Sequence, residues 1–139
     1  MRLILYDPLA NDPASRLRNI IEDLVSKDEL EIYETIAGLS GAVHRPTGEA
    51  TLAVLFAADR RDLKELVVVK NCSSSLRIIV IVPDCTKETI AAGHRLHPRF
   101  LGFAEDGFAE VAAVLERTIR LMTRENKGKR SQGSRPTIG

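Results

Sequence analysis

Three continuous apolar runs constrain this chain more than any other feature of its sequence. They span Arg2–Tyr6, Thr51–Phe56 and 77–82, and the third reads RIIVIV. Short runs of this kind, rich in aliphatic side chains and without polar alternation, are typical of strands buried on both faces. Such strands occur in parallel sheets that helices cover on both sides, so we expect an α/β domain.

The segments between the runs predict helices and two further strands. Asp12 and Pro13 fit a helix start, and apolar residues then recur at 17, 20, 21 and 24 on one helical face. The predicted strands are 2–6, 30–36, 51–56, 77–82 and 100–103. The predicted helices are one from 12, then 37–44, 59–72 and 86–93, and one from Glu105 or Asp106 with Phe108, Val111, Leu115, Ile119 and Met122 on its apolar face. Five strands that alternate with five helices predict a five-stranded parallel sheet.

Length and composition fit one globular domain. The chain has 139 residues, of which 44% are hydrophobic and 28% charged, and no apolar run has the length of a membrane span. The start MRLILYD lacks the apolar region of a secretory signal, so we expect a cytoplasmic protein. Cys72 and Cys85 are expected to be reduced thiols there.

The charges divide the chain in two. Residues 1–123 contain 15 basic and 18 acidic side chains, for a net charge of −3, whereas the remainder contains five basic residues and one acid. We predict a domain over 1–122 and a disordered basic tail over 123–139. The tail is expected to contact an acidic partner. Nucleic-acid binding is not expected, since no aromatic residues are interleaved with the basic ones.

Several segments resemble the response-regulator receiver family, and the resemblance covers about residues 1–122. LILYD is similar to its first strand with a terminal acid, TLAVLF to its third strand, and GHRLHPRFLGFAEDGFAEVAAVLERTI to the region from its fourth helix to its fifth. The resemblance implies a flavodoxin-like (βα)5 fold and a role in two-component signalling or a phosphorelay.

The phosphorylation site that the family implies is degenerate here. Receivers phosphorylate an Asp after strand three, hold Mg²⁺ with acids after strand one, and use a hydroxyl after strand four and a Lys after strand five. The matching positions are Asp7, Pro8, Ala57, Pro83 and Ala104. Only Asp7 keeps the family's residue type. We therefore expect a pseudo-receiver that lacks the phosphoacceptor, needs no cofactor and is not an enzyme.

Two alternatives stay open. In the first, Asp59 is the phosphoacceptor and Asp7 holds Mg²⁺, although Asp59 also fits the start of the third helix together with Asp62. In the second, the chain is a small flavodoxin-like ligand-binding domain, although no glycine-rich loop follows the first strand.

The resemblance also implies a contact surface on the side formed by the fourth helix, fifth strand and fifth helix. A protein partner or a second copy of the chain would bind there. The expected contact residues are His94, His97, Arg99, Phe100, Phe103 and Phe108. No His or Cys pair has the spacing of a zinc site, so the histidines are expected to be surface residues.

Overall fold

The computed structural model describes residues 2–8, 12–44, 51–71, 76–103 and 108–138, and their side chains except 12–15, 27 and 125–138. Within these ranges the strands are β1 Arg2–Tyr6, β2 Leu30–Tyr33, β3 Thr51–Phe56, β4 Leu76–Val82 and β5 Phe100–Phe103. The helices are α1 Asp12–Leu24, α2 Ile36–His44, α3 Arg60–Asn71, α4 Lys87–His94 and α5 Ala109–Ile138.

The five strands form one parallel sheet in the order β2-β1-β3-β4-β5. Strand β1 pairs with two neighbours, so that Leu5 lies opposite Ile32 of β2 and Val54 of β3. This strand order, with a helix after each strand, is the flavodoxin-like arrangement. The predicted fold class is therefore confirmed.

Side chains of the sheet alternate between two hydrophobic cores, because successive residues of a strand point to opposite faces. On one face, Leu3 and Leu5 pack with the apolar sides of α1 and α5, including Leu17 and Leu115. On the other face, residues of β1, β3 and β4 pack against α2, α3 and Leu96, which follows α4. Burial on both faces explains why the strands read as uninterrupted apolar runs.

An ion pair joins β1 and β2 near their amino ends. Arg2 is buried, and its guanidinium donates from Nε to Glu31 Oε2 at 2.6 Å and from Nη2 to Glu31 Oε1 at 3.0 Å. Nη2 also donates to the Ala42 carbonyl at 2.9 Å, which ties α2 to the sheet. The Glu31 carboxylate beside it raises the pKa of Arg2.

Two predicted element boundaries were wrong. The second strand ends at Tyr33 rather than at 36, because the Thr35 hydroxyl accepts a hydrogen bond from the Gly38 amide at 3.1 Å and caps α2. The fourth helix does not finish at Gly93. This glycine lies inside α4 against β4 and β5, and the cap is Arg95.

The last helix differs from the prediction at both ends. It begins at Ala109, and not at Glu105 or Asp106, and it is helical through Ile138, into the stretch predicted as a basic tail over 123–139. The predicted apolar face is buried, with Phe108 just before the helix and Val111 and Leu115 in its first turns. Once packing has fixed those turns, extension of the helix needs no further nucleation. Among the described helices, none is long and apolar enough to cross a membrane.

Two glycines give a matched test of this packing. A Cβ at Gly93 would lie 2.6 Å from Leu101 Cδ1 and 3.2 Å from Val82 Cγ1, so Gly93→Ala should lower the free energy of unfolding by about 1 kcal/mol or more. A Cβ at Gly41 meets nothing within 4 Å, so Gly41→Ala in α2 should raise it by about 0.5–1 kcal/mol. Urea denaturation measures both, and effects of the same sign would contradict the packing.

Candidate functional site

A crevice is expected where the strand order reverses, between β1 and β3. The chain leaves β1 toward β2 on one side and later adds β3 on the other, so the loops after these strands diverge. Tyr6 pairs with Leu55, and the Ala57 amide donates to the Ile81 carbonyl at 3.0 Å. Asp7 and Ala57, which follow β1 and β3, therefore lie at the same edge of the sheet.

The predicted site positions at this edge are largely apolar. Asp7 is 2% exposed, and its amide donates to the Tyr33 carbonyl at 2.8 Å. Ala57 is fully buried, and its methyl group offers no nucleophile where the family resemblance implies one. Pro8 and Pro83 are half-buried. Ala104 lies outside the described residues.

Asp59 caps the third helix, as its position had predicted. Its Oδ1 accepts a hydrogen bond from the Asp62 amide at 2.8 Å, and its carbonyl accepts one from the Leu63 amide at 3.2 Å. This is the geometry of an N-cap, in which a side-chain oxygen satisfies an amide of the first helical turn. The residue is exposed, and the capping role is confirmed.

Asp62 joins three segments at the switch point. Its Oδ1 accepts a hydrogen bond from the Tyr6 hydroxyl at 2.7 Å, and its Oδ2 accepts one from the Ala58 amide at 3.0 Å. These two hydrogen bonds hold the first turn of α3 against Tyr6 at the end of β1 and against Ala58 after β3. Burial, and then the bond to the Asp62 carboxylate, raises the pKa of Tyr6, so the phenol stays protonated as a donor.

A third polar cluster follows β4. Asp84 Oδ1 accepts hydrogen bonds from the Thr86 amide at 3.0 Å and the Thr86 hydroxyl at 2.8 Å. Thr86 is the N-cap of α4, and its hydroxyl accepts a bond from the Thr89 amide at 3.3 Å. Hydrogen bonding by Thr89, and then by Thr86, lowers the pKa of Asp84. This cluster orders the β4–α4 connection.

The acids at this edge fit a Mg²⁺ site poorly. Mg²⁺ takes oxygen ligands and in proteins is held by one or two carboxylates. Both oxygens of Asp62 already accept hydrogen bonds, Asp59 Oδ1 caps α3, and Pro8 has no carboxylate. Among the described residues there is also no group of three His, Cys, Asp or Glu side chains arranged for a metal. The alternative with Asp7 as Mg²⁺ ligand and Asp59 as phosphoacceptor stays a prediction.

The residues of the expected contact surface differ in their exposure to solvent. His94, His97 and Arg99 are exposed, and His97 has a φ of 50°, which places the turn after α4 in the left-handed region. Phe100 and Phe103 are half-buried against the two cores. The assignment of Phe108 to this surface was wrong. It is 8% exposed in the core beneath α5, and its ring centroid lies 6.3 Å from that of Phe56.

Sequence reasoning missed two features near this edge. One is the Tyr6–Asp62 hydrogen bond, for which the signals were a hydroxyl-bearing aromatic at a strand end and a second acid in the first turn of a helix. The other is a groove between α3 and α4 with basic walls, for which the signal was the RRDLK sequence at the start of α3.

Comparison of the chain with protein-family models, curated proteins and solved structures finds no match. The resemblance to receivers therefore depends on the sequence segments quoted above. The fold agrees with that resemblance, because the strand order is β2-β1-β3-β4-β5. Fold alone does not assign a function, so the functional part of the resemblance is a proposal.

The Tyr6–Asp62 hydrogen bond should make the free energy of unfolding depend on pH in the alkaline range. Tyr6→Phe should lower the free energy of unfolding at neutral pH by about 1 kcal/mol, because Asp62 loses a buried donor. The Tyr6 pKa is raised in the folded state above its ordinary 10.0, so its stabilisation is full below 10.0 and is lost as the pH rises toward the folded pKa. The difference between wild type and Tyr6→Phe should shrink above pH 10.0 in urea denaturation.

The same variant in an Asp62→Asn background is the control. There the effect of Tyr6→Phe at neutral pH should be smaller, because the charged acceptor is already absent. Equal pH slopes for wild type and Tyr6→Phe, with no coupling in the double variant, would show that the phenol and carboxylate do not interact.

Proposed function

We propose that this chain is a receiver-like protein-interaction module that acts through contacts and does not accept a phosphoryl group. The observation that carries the proposal is the buried methyl group of Ala57 at the end of β3, the place of the phosphoacceptor in the family it resembles. Phosphotransfer of that kind needs a carboxylate nucleophile there, beside a metal ion that neutralises the phosphoryl oxygens.

The nearby acids support the same proposal. Asp59 holds the first turn of α3, and Asp62 joins that turn to Tyr6 and Ala58. Each carboxylate thus has a folding role that phosphorylation or metal binding would disturb. Asp7 keeps the family's residue type, and it is buried at the end of β1.

The second part of the proposal is that a partner binds on the side formed by α4, β5 and α5. His94, His97 and Arg99 give that side an exposed polar group. Phe100 and Phe103 contribute partly exposed rings beside it. A polar rim around partly apolar area is usual for a protein-protein contact. The partner can be another protein or a second copy of the chain, and the predicted contact of the basic tail with an acidic partner belongs to the same proposal.

Phosphorylation in vitro tests the proposal. Incubation with acetyl phosphate and Mg²⁺, followed by phosphate-affinity electrophoresis, should give no retarded band for the wild type or for Asp59→Asn. A phosphorylatable receiver treated in parallel shows that the assay works. A retarded wild-type band that disappears in Asp59→Asn would overturn the proposal in favour of the alternative with Asp59 as acceptor.

A further inference from the structure

A groove of about 760 Å³ lies between α3 and α4. Its walls are the exposed sides of the two helices. Four of its lining side chains are cationic and one is an acid, Glu88; the cations are Arg60, Arg61, Lys64 and Arg95. The groove therefore concentrates positive charge on a body whose first 123 residues have a net charge of −3.

The positive charge is placed against the preferences of the helix that bears it. Arg60 and Arg61 stand in the first turn of α3, where the helix dipole disfavours cations. Arg60 and Lys64 are four residues apart, so two like charges face each other along the helix. Within the described part of the chain, none of the four cationic side chains forms an ion pair or a side-chain hydrogen bond. Arg60 has an attractive electrostatic interaction with Asp84. The repulsion between Arg60 and Lys64 along α3 remains, and an anionic ligand would relieve it.

The groove has room for a chain segment, and an exposed apolar side chain lies one helical turn beyond its lining residues on α3. Ala91 and Ala92 of α4 line it with small side chains, which leaves space for a chain segment between the helices. Val68 stands one helical turn after Lys64 on α3 and is 65% exposed, the most exposed large hydrophobic side chain among the described residues. Carboxylates matched to arginine forks, with an apolar residue beside them, would complement this lining.

Nucleic acid fits the groove less well. No aromatic side chain lines it among the described residues, so bases would find no stacking surface. The net negative charge of the surrounding body would also repel a long polyanion, while a short acidic segment would meet only the local positive field.

We propose that the groove between α3 and α4 binds an acidic peptide segment of a partner protein. This inference rests on the proposed function in one respect, since it names a partner class for a contact module. It concerns the side of α4 that faces α3 and not the side that α4 forms with β5 and α5, and it does not depend on whether Asp59 is phosphorylated.

Fluorescence anisotropy with a labelled glutamate-rich peptide that contains leucine tests the proposal. The wild type should bind it saturably and less tightly as salt is added. Arg61→Glu with Lys64→Glu should weaken binding by about tenfold or more, because the groove then repels the peptide. The matched control is Arg16→Glu with Arg117→Glu, two exposed positions on α1 and α5 that change net charge equally. It should keep most of the affinity.

Several results would overturn the proposal. They are absence of binding to the wild type, equal loss in both charge-reversal pairs, and tighter binding of a single-stranded oligonucleotide than of the peptide. Because the reversals lie on exposed helix positions, circular dichroism should show an unchanged fold, and Arg61→Gln with Lys64→Gln gives a milder second variant. If the wild type is phosphorylated by acetyl phosphate and still binds the peptide, only the proposed function is contradicted. If the wild type is not phosphorylated and does not bind the peptide, only this inference is contradicted.

Discussion

Burial of β1 and β3 on both faces is the constraint on which the rest of this structure depends. Strands with apolar side chains on both faces need helices above and below, and parallel pairing lets a helix follow each strand. The same pairing brings the carboxyl ends of β1 and β3 to one edge. Whatever residues follow those strands must then either form a site or satisfy each other.

Here residues at that edge satisfy each other's hydrogen-bonding groups. The Tyr6 hydroxyl and the Ala58 amide are polar donors near a crowded core, and a buried donor without an acceptor destabilises the folded state. Asp62 accepts from both and so fixes the angle at which α3 leaves the sheet. These hydrogen bonds hold the start of α3 against the end of β1 and the residues after β3. Cationic side chains are concentrated on the exposed sides of α3 and α4.

The sequence predicted the parts of the fold that depend on local pattern. The runs 51–56 and 100–103 gave strand bounds that the structure matches, and Asp59 was correctly predicted as a cap. The strand ending at Tyr33 was predicted too long, because Ile36 continues the apolar pattern and the Thr35 cap competes with it. Phe108 was assigned to the surface because a family resemblance gives the side of a helix but not the depth of one ring.

What could not be predicted depends on contacts between distant segments. Tyr6 and Asp62 are 56 positions apart, and nothing in either neighbourhood specifies that their side chains meet. The groove likewise brings Arg95, which follows α4, together with Arg60 and Arg61 of α3, and these residues are far apart in the sequence. Residue spacing therefore predicted the helices and strands, whereas the side-chain contacts between them depend on the tertiary structure.

The most direct test of the central claim is an NMR titration of the ¹⁵N-labelled chain with Mg²⁺ and beryllofluoride, which mimics a phosphoryl group on a carboxylate. We expect the amide signals of Asp7, Ala57, Ala58 and Asp59 to stay unchanged, because Asp62 and Asp59 are engaged in the fold. Saturable shifts at these amides that disappear in Asp59→Asn would contradict the claim that this edge holds the structure together instead of binding a phosphoryl group.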